Sequence, residues 1–249
     1  MWKNLSAVAL AASLLAAPAL AQMSTPTASF SPAQRKEIIG IIREALKADP
    51  TILRDAVTAL RADDGRAQDE AARAAIIAAG PHLTQNPADP IAGNPAGDVT
   101  LVEFYDVRCP YCRHMLPAIE SLLSSDKGVR LIYKDIPILG PGSVLGSRAL
   151  LAAQRQGGYA KMQSAVMTGP ADVTEDSLKA AAGASGLDWG RLRHDMDDPA
   201  IQAQIDSNLA LAKAISVEGT PAFVLGERLI PGSMDLAGLQ AVVKAARAR

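Results

Sequence analysis

The chain has 249 residues, 49% of them hydrophobic and 20% charged, with a net charge of −1. That composition is globular and long enough for one sizeable domain or two small ones, so a chain disordered throughout is excluded. Near-neutral charge and 4% aromatic residues exclude a basic nucleic-acid footprint and base-stacking platforms, while two cysteines are too few for a disulfide-dense scaffold or a four-thiolate zinc site.

Met1-Trp2-Lys3-Asn4 precedes an apolar run from Leu5 to Ala17, and Ala19-Leu20-Ala21 fits a small-x-small cleavage site. A spanning helix needs about 20 apolar residues, so the run is too short for an anchor. The expected reading is a signal peptide over 1–21, cleaved after Ala21, with Gln22 as the mature N-terminus. Export leads to an oxidising compartment, where a cysteine pair can persist as a disulfide.

A flexible lead-in covers 22–30. Ser31-Pro32 opens a helix, with Ser31 as N-cap, Pro32 at the first helical position and Gln34 placed for a capping box. Ile38, Ile39, Ile41, Ile42, Ala45 and Leu46 give it an apolar face. Asp49-Pro50 breaks it. A second helix carries Ile52, Leu53, Ala56, Val57 and Leu60, Asp63-Asp64-Gly65 is expected to end it, and an Ala-rich helix runs on to about Ala79, before Gly80-Pro81. The extension therefore spans 22–83. The Pro- and Gly-rich stretch 84–98 reads as a linker.

The main domain, 99–249, begins with the apolar, β-rich run Val99–Tyr105, a central strand. A helix follows to about Ser125, then a strand over Val129–Ile138. An Ala- and Leu-rich helical insertion is expected over about 143–216. Ala222–Leu225, a Gly226-Glu227 turn and Arg228–Ile230 read as a hairpin, and a last helix covers about Asp235–Ala248. The fold class is α/β: a small sheet with an inserted helical segment, preceded by an all-α extension.

The only cysteines form Cys109-Pro110-Tyr111-Cys112, between a strand and a helix. Pro110 suits the first helical turn, which leaves Cys109 at the helix N-terminus. Free N–H groups and the helix dipole favour a thiolate there, making Cys109 the nucleophile and a good leaving group. Cys112, one turn further in and less exposed, is the resolving thiol. A purely structural disulfide is a weak rival, because closing a four-residue loop stabilises by only about 2 kcal/mol. A second rival is Cu(I) bound by the two thiolates, aided by His114.

The segment Val102–Cys112 resembles the active site of DsbA-like thiol-disulfide oxidoreductases of the thioredoxin superfamily. Pro117 matches a helix-kinking proline of that superfamily, and Val217-Glu218-Gly219-Thr220-Pro221-Ala222-Phe223 matches the loop that sets a cis-proline beside the disulfide. The resemblance covers about 90–249. Residues 31–80 resemble the N-terminal extension of suppressor-of-copper-sensitivity C (ScsC) proteins.

The resemblance implies a thioredoxin-like fold and thiol-disulfide exchange in the periplasm on exported proteins that contain cysteines. It also implies a membrane redox partner that recycles the disulfide. Pro221 is then cis, although only about 5–6% of X–Pro bonds in folded proteins are. Thr220 tunes redox behaviour and offers its backbone to a client strand. Glu103, in an apolar strand six residues before Cys109, serves proton transfer to the buried cysteine; otherwise it lies on a solvated face. Tyr111 contacts substrate.

His82, His114 and His194 are expected to be solvated. No metal or organic cofactor is required: the redox centre is the Cys109–Cys112 disulfide. Thr220 and an oligomerising extension lean towards an isomerase or reductase, and Pro110 leans towards an oxidase. A copper-tolerance protein and a non-catalytic holdase are the other classes.

Overall fold

The computed structural model describes residues 30–248. The expected signal peptide and nearly all of the lead-in lie outside the described residues. Two compact units divide between Thr58 and Ala59.

In the first unit, α1 spans Pro32–Ala48. Its capping box forms as expected: the Gln34 N–H donates to Ser31 Oγ at 3.3 Å and the Ser31 N–H to Gln34 Oε1 at 2.9 Å. No residue of α1 is buried. At the break, Asp49 Oδ1 accepts from the Thr51 N–H at 3.0 Å and α2 begins, spanning Thr51–Ala79.

That helix corrects one expectation, because it passes through Asp63-Asp64-Gly65 without ending. One glycine in a helix costs only about 1 kcal/mol relative to alanine, and Arg66 pairs with Asp63 at 2.8 Å on the helix surface. A second difference follows. The extension was expected to stay separate to residue 83, yet in the second unit Ala72, Ile76 and Leu83 are buried. Leu83 lies in the short helix α3, Pro81–Thr84.

The stretch 84–98 is also more than a linker. Ile91–Gly93 form strand β1, paired antiparallel with β3 (Val129–Asp135). A three-residue edge strand tolerates flanking prolines because it needs few ladder bonds. Asp89 is buried against Lys134 of β3, whose Nζ also donates to the His82 carbonyl at 2.9 Å.

The sheet order is β1-β3-β2-β4-β5, with β2 over Val99–Tyr105, β4 over Ala222–Leu225 and β5 over Arg228–Pro231. β2 and β3 are parallel, and β4 pairs antiparallel with both β2 and β5. Side chains alternate across the sheet. Leu101, Tyr105, Leu131, Tyr133 and Phe223 belong to a large core shared with α4 (Pro110–Ser125) and α10 (Leu236–Arg247). The insertion, α5 (Pro141–Gln154), α6 (Tyr159–Thr168), α7 (Glu175–Ala184), α8 (Trp189–Asp195) and α9 (Pro199–Ala214), packs largely on this face. Val102, Phe104, Ile132 and Val224 point to the other face, where Ile76, Leu83, Ala212 and Ile215 cover them. The α/β class with a helical insertion is as the sequence indicated.

Candidate active site

The cysteines sit where β2 hands over to α4. The buried Asp106 fixes this corner: its carboxylate accepts from the N–H groups of Arg108 at 2.8 Å, Ile138 at 2.8 Å and Leu139 at 3.0 Å. Arg108 returns a bond from Nη1 to the Leu139 carbonyl at 2.8 Å. Cys109 is the N-cap of α4, with extended backbone, and Pro110 takes the first turn. No side chain caps this end, so the orphan N–H groups and the positive end of the dipole are left to the sulfur.

Cys109 is 5% exposed and Cys112 fully buried. The first cysteine is thus less open than expected, although it remains the more accessible of the two. Its Sγ donates to the Thr220 carbonyl at 3.2 Å. The Thr220–Pro221 bond is cis, as the resemblance implied. Burial pushes the Cys112 thiol far up, and the nearby charge of Glu103 pushes it further. Cys112 therefore stays protonated until a base is offered.

Glu103 lies near enough to Cys112 to act on its thiol. It faces the same side of the sheet as Tyr133 and Phe223, its register partners on β3 and β4. It is buried, Oε2 has no hydrogen-bond partner, and burial, followed by the charge of Asp135, raises its carboxyl to about 8. The solvated alternative is thereby removed.

Glu103→Gln tests this environment. The folded-state value lies above the unfolded value of 4.5, so the stability of the wild type is greatest below 4.5 and falls as pH rises towards 8. At pH 8 the Gln variant should be more stable than wild type by about 2–4 kcal/mol, with near-equality at pH 4. Equal urea midpoints at both pH values would contradict a buried, unpaired carboxyl.

A second buried carboxylate stands beside Glu103. Asp135 accepts from Tyr105 OH at 3.0 Å and Tyr159 OH at 2.8 Å, and the two hydroxyls are 2.5 Å apart. Burial raises Asp135 to about 7 against the pull of these bonds. Sequence reasoning missed this group. A signal existed in strand alternation, since Tyr105 lies two residues beyond Glu103 and pairs with Asp135. Tyr159 comes from the insertion, and nothing in the sequence pointed to it.

In front of the cysteines lies a groove of about 690 Å³. Tyr111, 65% exposed, stands on one wall, and Thr220 and Pro221 on another. A third wall is the later half of α2, including Asp69, Glu70 and Arg73. The six residues singled out in the sequence are therefore brought to one site. His82, His114 and His194 are exposed, and among the described residues no group of three or more His, Cys, Asp or Glu side chains is placed to hold a metal ion.

The DSBA-like thioredoxin domain model matches residues 100–244, the stretch that holds both cysteines and the cis-proline loop. The chain belongs to the DsbA-like thioredoxin family. The ScsC N-terminal domain model, described as that of a copper resistance protein, matches residues 34–67.

Among solved structures of this family type, a thioredoxin-like oxidoreductase from Silicibacter pomeroyi is similar at 40% identity and a TM-score of 0.66. The match covers 68% of this chain and 98% of that one. Proteus mirabilis ScsC in a transitional conformation is similar at 26% identity and a TM-score of 0.65, over 89% of this chain and 98% of that one. A periplasmic thioredoxin-like protein from Salmonella enterica serovar Typhimurium is 32% identical, with a TM-score of 0.62, over 68% and 95%.

Residues of this DsbA-like chain also match Na⁺/H⁺ antiporters. That of Herminiimonas arsenicoxydans is 30% identical over 172 residues, 67% of this chain but 28% of its own length. No helix among the described residues is long and apolar enough to cross a membrane.

Proposed function

We propose that this DsbA-like oxidoreductase reshuffles or reduces disulfides of exported, cysteine-containing proteins. One observation carries the reading: Cys109 Sγ lies at the uncapped N-terminus of α4, against the Thr220 carbonyl, with Cys112 buried behind it. The Cys109 thiolate attacks a client disulfide. A mixed disulfide forms and one client thiolate leaves, to be protonated by solvent. The Cys112 proton passes to the Glu103 carboxylate. The Cys112 thiolate then attacks Cys109 Sγ, closing the Cys109–Cys112 disulfide and releasing the second client thiolate. Two electrons have reached the client, and a membrane redox partner then supplies two others, with two protons, that reduce the Cys109–Cys112 disulfide back to the dithiol. Reshuffling ends instead with a client thiolate attacking the mixed disulfide. No metal or organic cofactor enters this cycle.

The working compartment is the periplasm, reached by cleavage after Ala21. The signal pattern of residues 1–21 and the periplasmic relative from Salmonella support this. The Pro110-Tyr111 dipeptide favours a second reading, a disulfide oxidase. A scrambled ribonuclease with several disulfides separates the two. The isomerase or reductase reading expects recovery of ribonuclease activity well above the uncatalysed rate. Rapid oxidation of reduced ribonuclease, with scrambled protein left unchanged, would establish the oxidase instead.

The extension supports a homo-oligomer. Ile39, Ile41, Ile42, Leu53, Val57 and Leu60 are exposed, and α1 buries nothing within the chain. Clustered apolar residues of this kind mark an interaction surface. Holding several active sites around one client makes repeated encounters effectively intramolecular. Light scattering should give a multiple of the chain mass. Ile41→Glu with Leu53→Glu should reduce it to one chain, and a monomeric wild type would refute the oligomer.

A further inference from the structure

We infer that the groove beside the cysteines selects client segments that carry Lys or Arg near the exchanging cysteine, with the later half of α2 as the selecting wall. The inference rests on the exchange reading above and adds the class of client.

The groove lies beside Cys109, since Thr220, whose carbonyl accepts from Cys109 Sγ, and Tyr111 both line it. A client cysteine at Cys109 therefore places its neighbouring residues along the groove. The α2 wall belongs to the same compact unit, anchored by the buried Ala72 and Ile76.

The charges on the walls are unequal. Arg73 is spent on Glu227, to which Nε and Nη2 donate at 2.8 and 2.6 Å. Asp69 and Glu70 on α2, and Glu218 on the cis-proline loop, are exposed. Among the described residues none of these three forms an ion pair, and the only cation of the lining left against them is Arg228. A cleft lined by one excess sign focuses its field on what enters, and so favours a client segment of the opposite sign.

Two peptides of equal length, bearing three Lys or three Glu around one cysteine, make the test. With serine in place of the cysteine, fluorescence anisotropy on the exported chain reads binding alone. The basic peptide should bind about tenfold tighter than the acidic one at low salt. The ratio should fall towards one in 0.5 M salt, where screening is strong. Asp69→Lys with Glu70→Lys should reverse or erase it.

Equal binding of the two peptides, or a preference that the double substitution leaves intact, would overturn the inference. The cysteine-bearing peptides, presented as disulfides, read exchange separately. A binding preference without any exchange would sink the proposed activity and leave the groove's selectivity standing, whereas exchange without a preference would do the reverse.

Discussion

Cys109→Ser should abolish thiol-disulfide exchange down to the uncatalysed level, and Cys112→Ser should accumulate mixed disulfides with exported proteins. The two outcomes follow from unequal positions. Cys109 is the N-cap of α4, where no side chain takes the free N–H groups, and its Sγ lies against the carbonyl of Thr220, which lines the groove. A serine hydroxyl there is not ionised and cannot form the first bond. Cys112 is fully buried, and burial together with Glu103 holds its thiol protonated. Its loss leaves the first step intact and removes the release step. Non-reducing gels of the two variants after expression with export, and insulin-type reduction assays on the purified chains, read the two steps. Trapping by Cys109→Ser alone, or full turnover without Cys109, would reverse or remove the assigned roles.

Lys134→Met should destabilise the fold by about 3–5 kcal/mol, the usual cost of stranding one half of a buried ion pair. For a domain of this size that lowers the melting temperature by on the order of 10 °C. Lys134 and Asp89 are each almost fully buried and bonded to each other. Lys134 also holds the His82 carbonyl at 2.9 Å, so the pair ties the segment after α3 to the sheet.

Burial already raises the Asp89 carboxyl, and Lys134 works against that. Without the ammonium, Asp89 takes up a proton more readily, and the penalty should grow as pH rises above the ordinary carboxylate range. Lys134→Met combined with Asp89→Leu should recover most of the loss, because an apolar pair carries no stranded charge. Thermal melts of the single and double variants decide it. A single variant costing under about 1 kcal/mol would mean that the pair is not desolvated.

The placement of the two cysteines was legible because it is set locally. A cysteine before a proline at a strand-to-helix junction fixes both its place at the helix end and its access to the dipole. The α1 capping box was legible for the same reason, since Ser31 and Gln34 settle it within four residues. Asp63-Asp64-Gly65 misled because breaker residues weigh only about 1 kcal/mol each, which a long helix with a buried later face absorbs. The stretch 84–98 misled because its prolines and glycines are loop formers in isolation, while β1 exists only through the backbone of β3.

The sequence by itself determined the α/β class, the position of the C-P-Y-C pair, the capped first helix and the presence of an acid in the strand before the site. Those features depend on side-chain periodicity and on neighbours a few residues apart. Only the tertiary structure decided that Glu103 is unpaired, that Asp135 and Tyr159 stand behind it, that Lys134 closes on Asp89, and that the later half of α2 walls the groove. Each of these joins groups far apart along the chain. Their energies come from burial and pairing, which are set by what packs above a residue rather than by its neighbours in sequence.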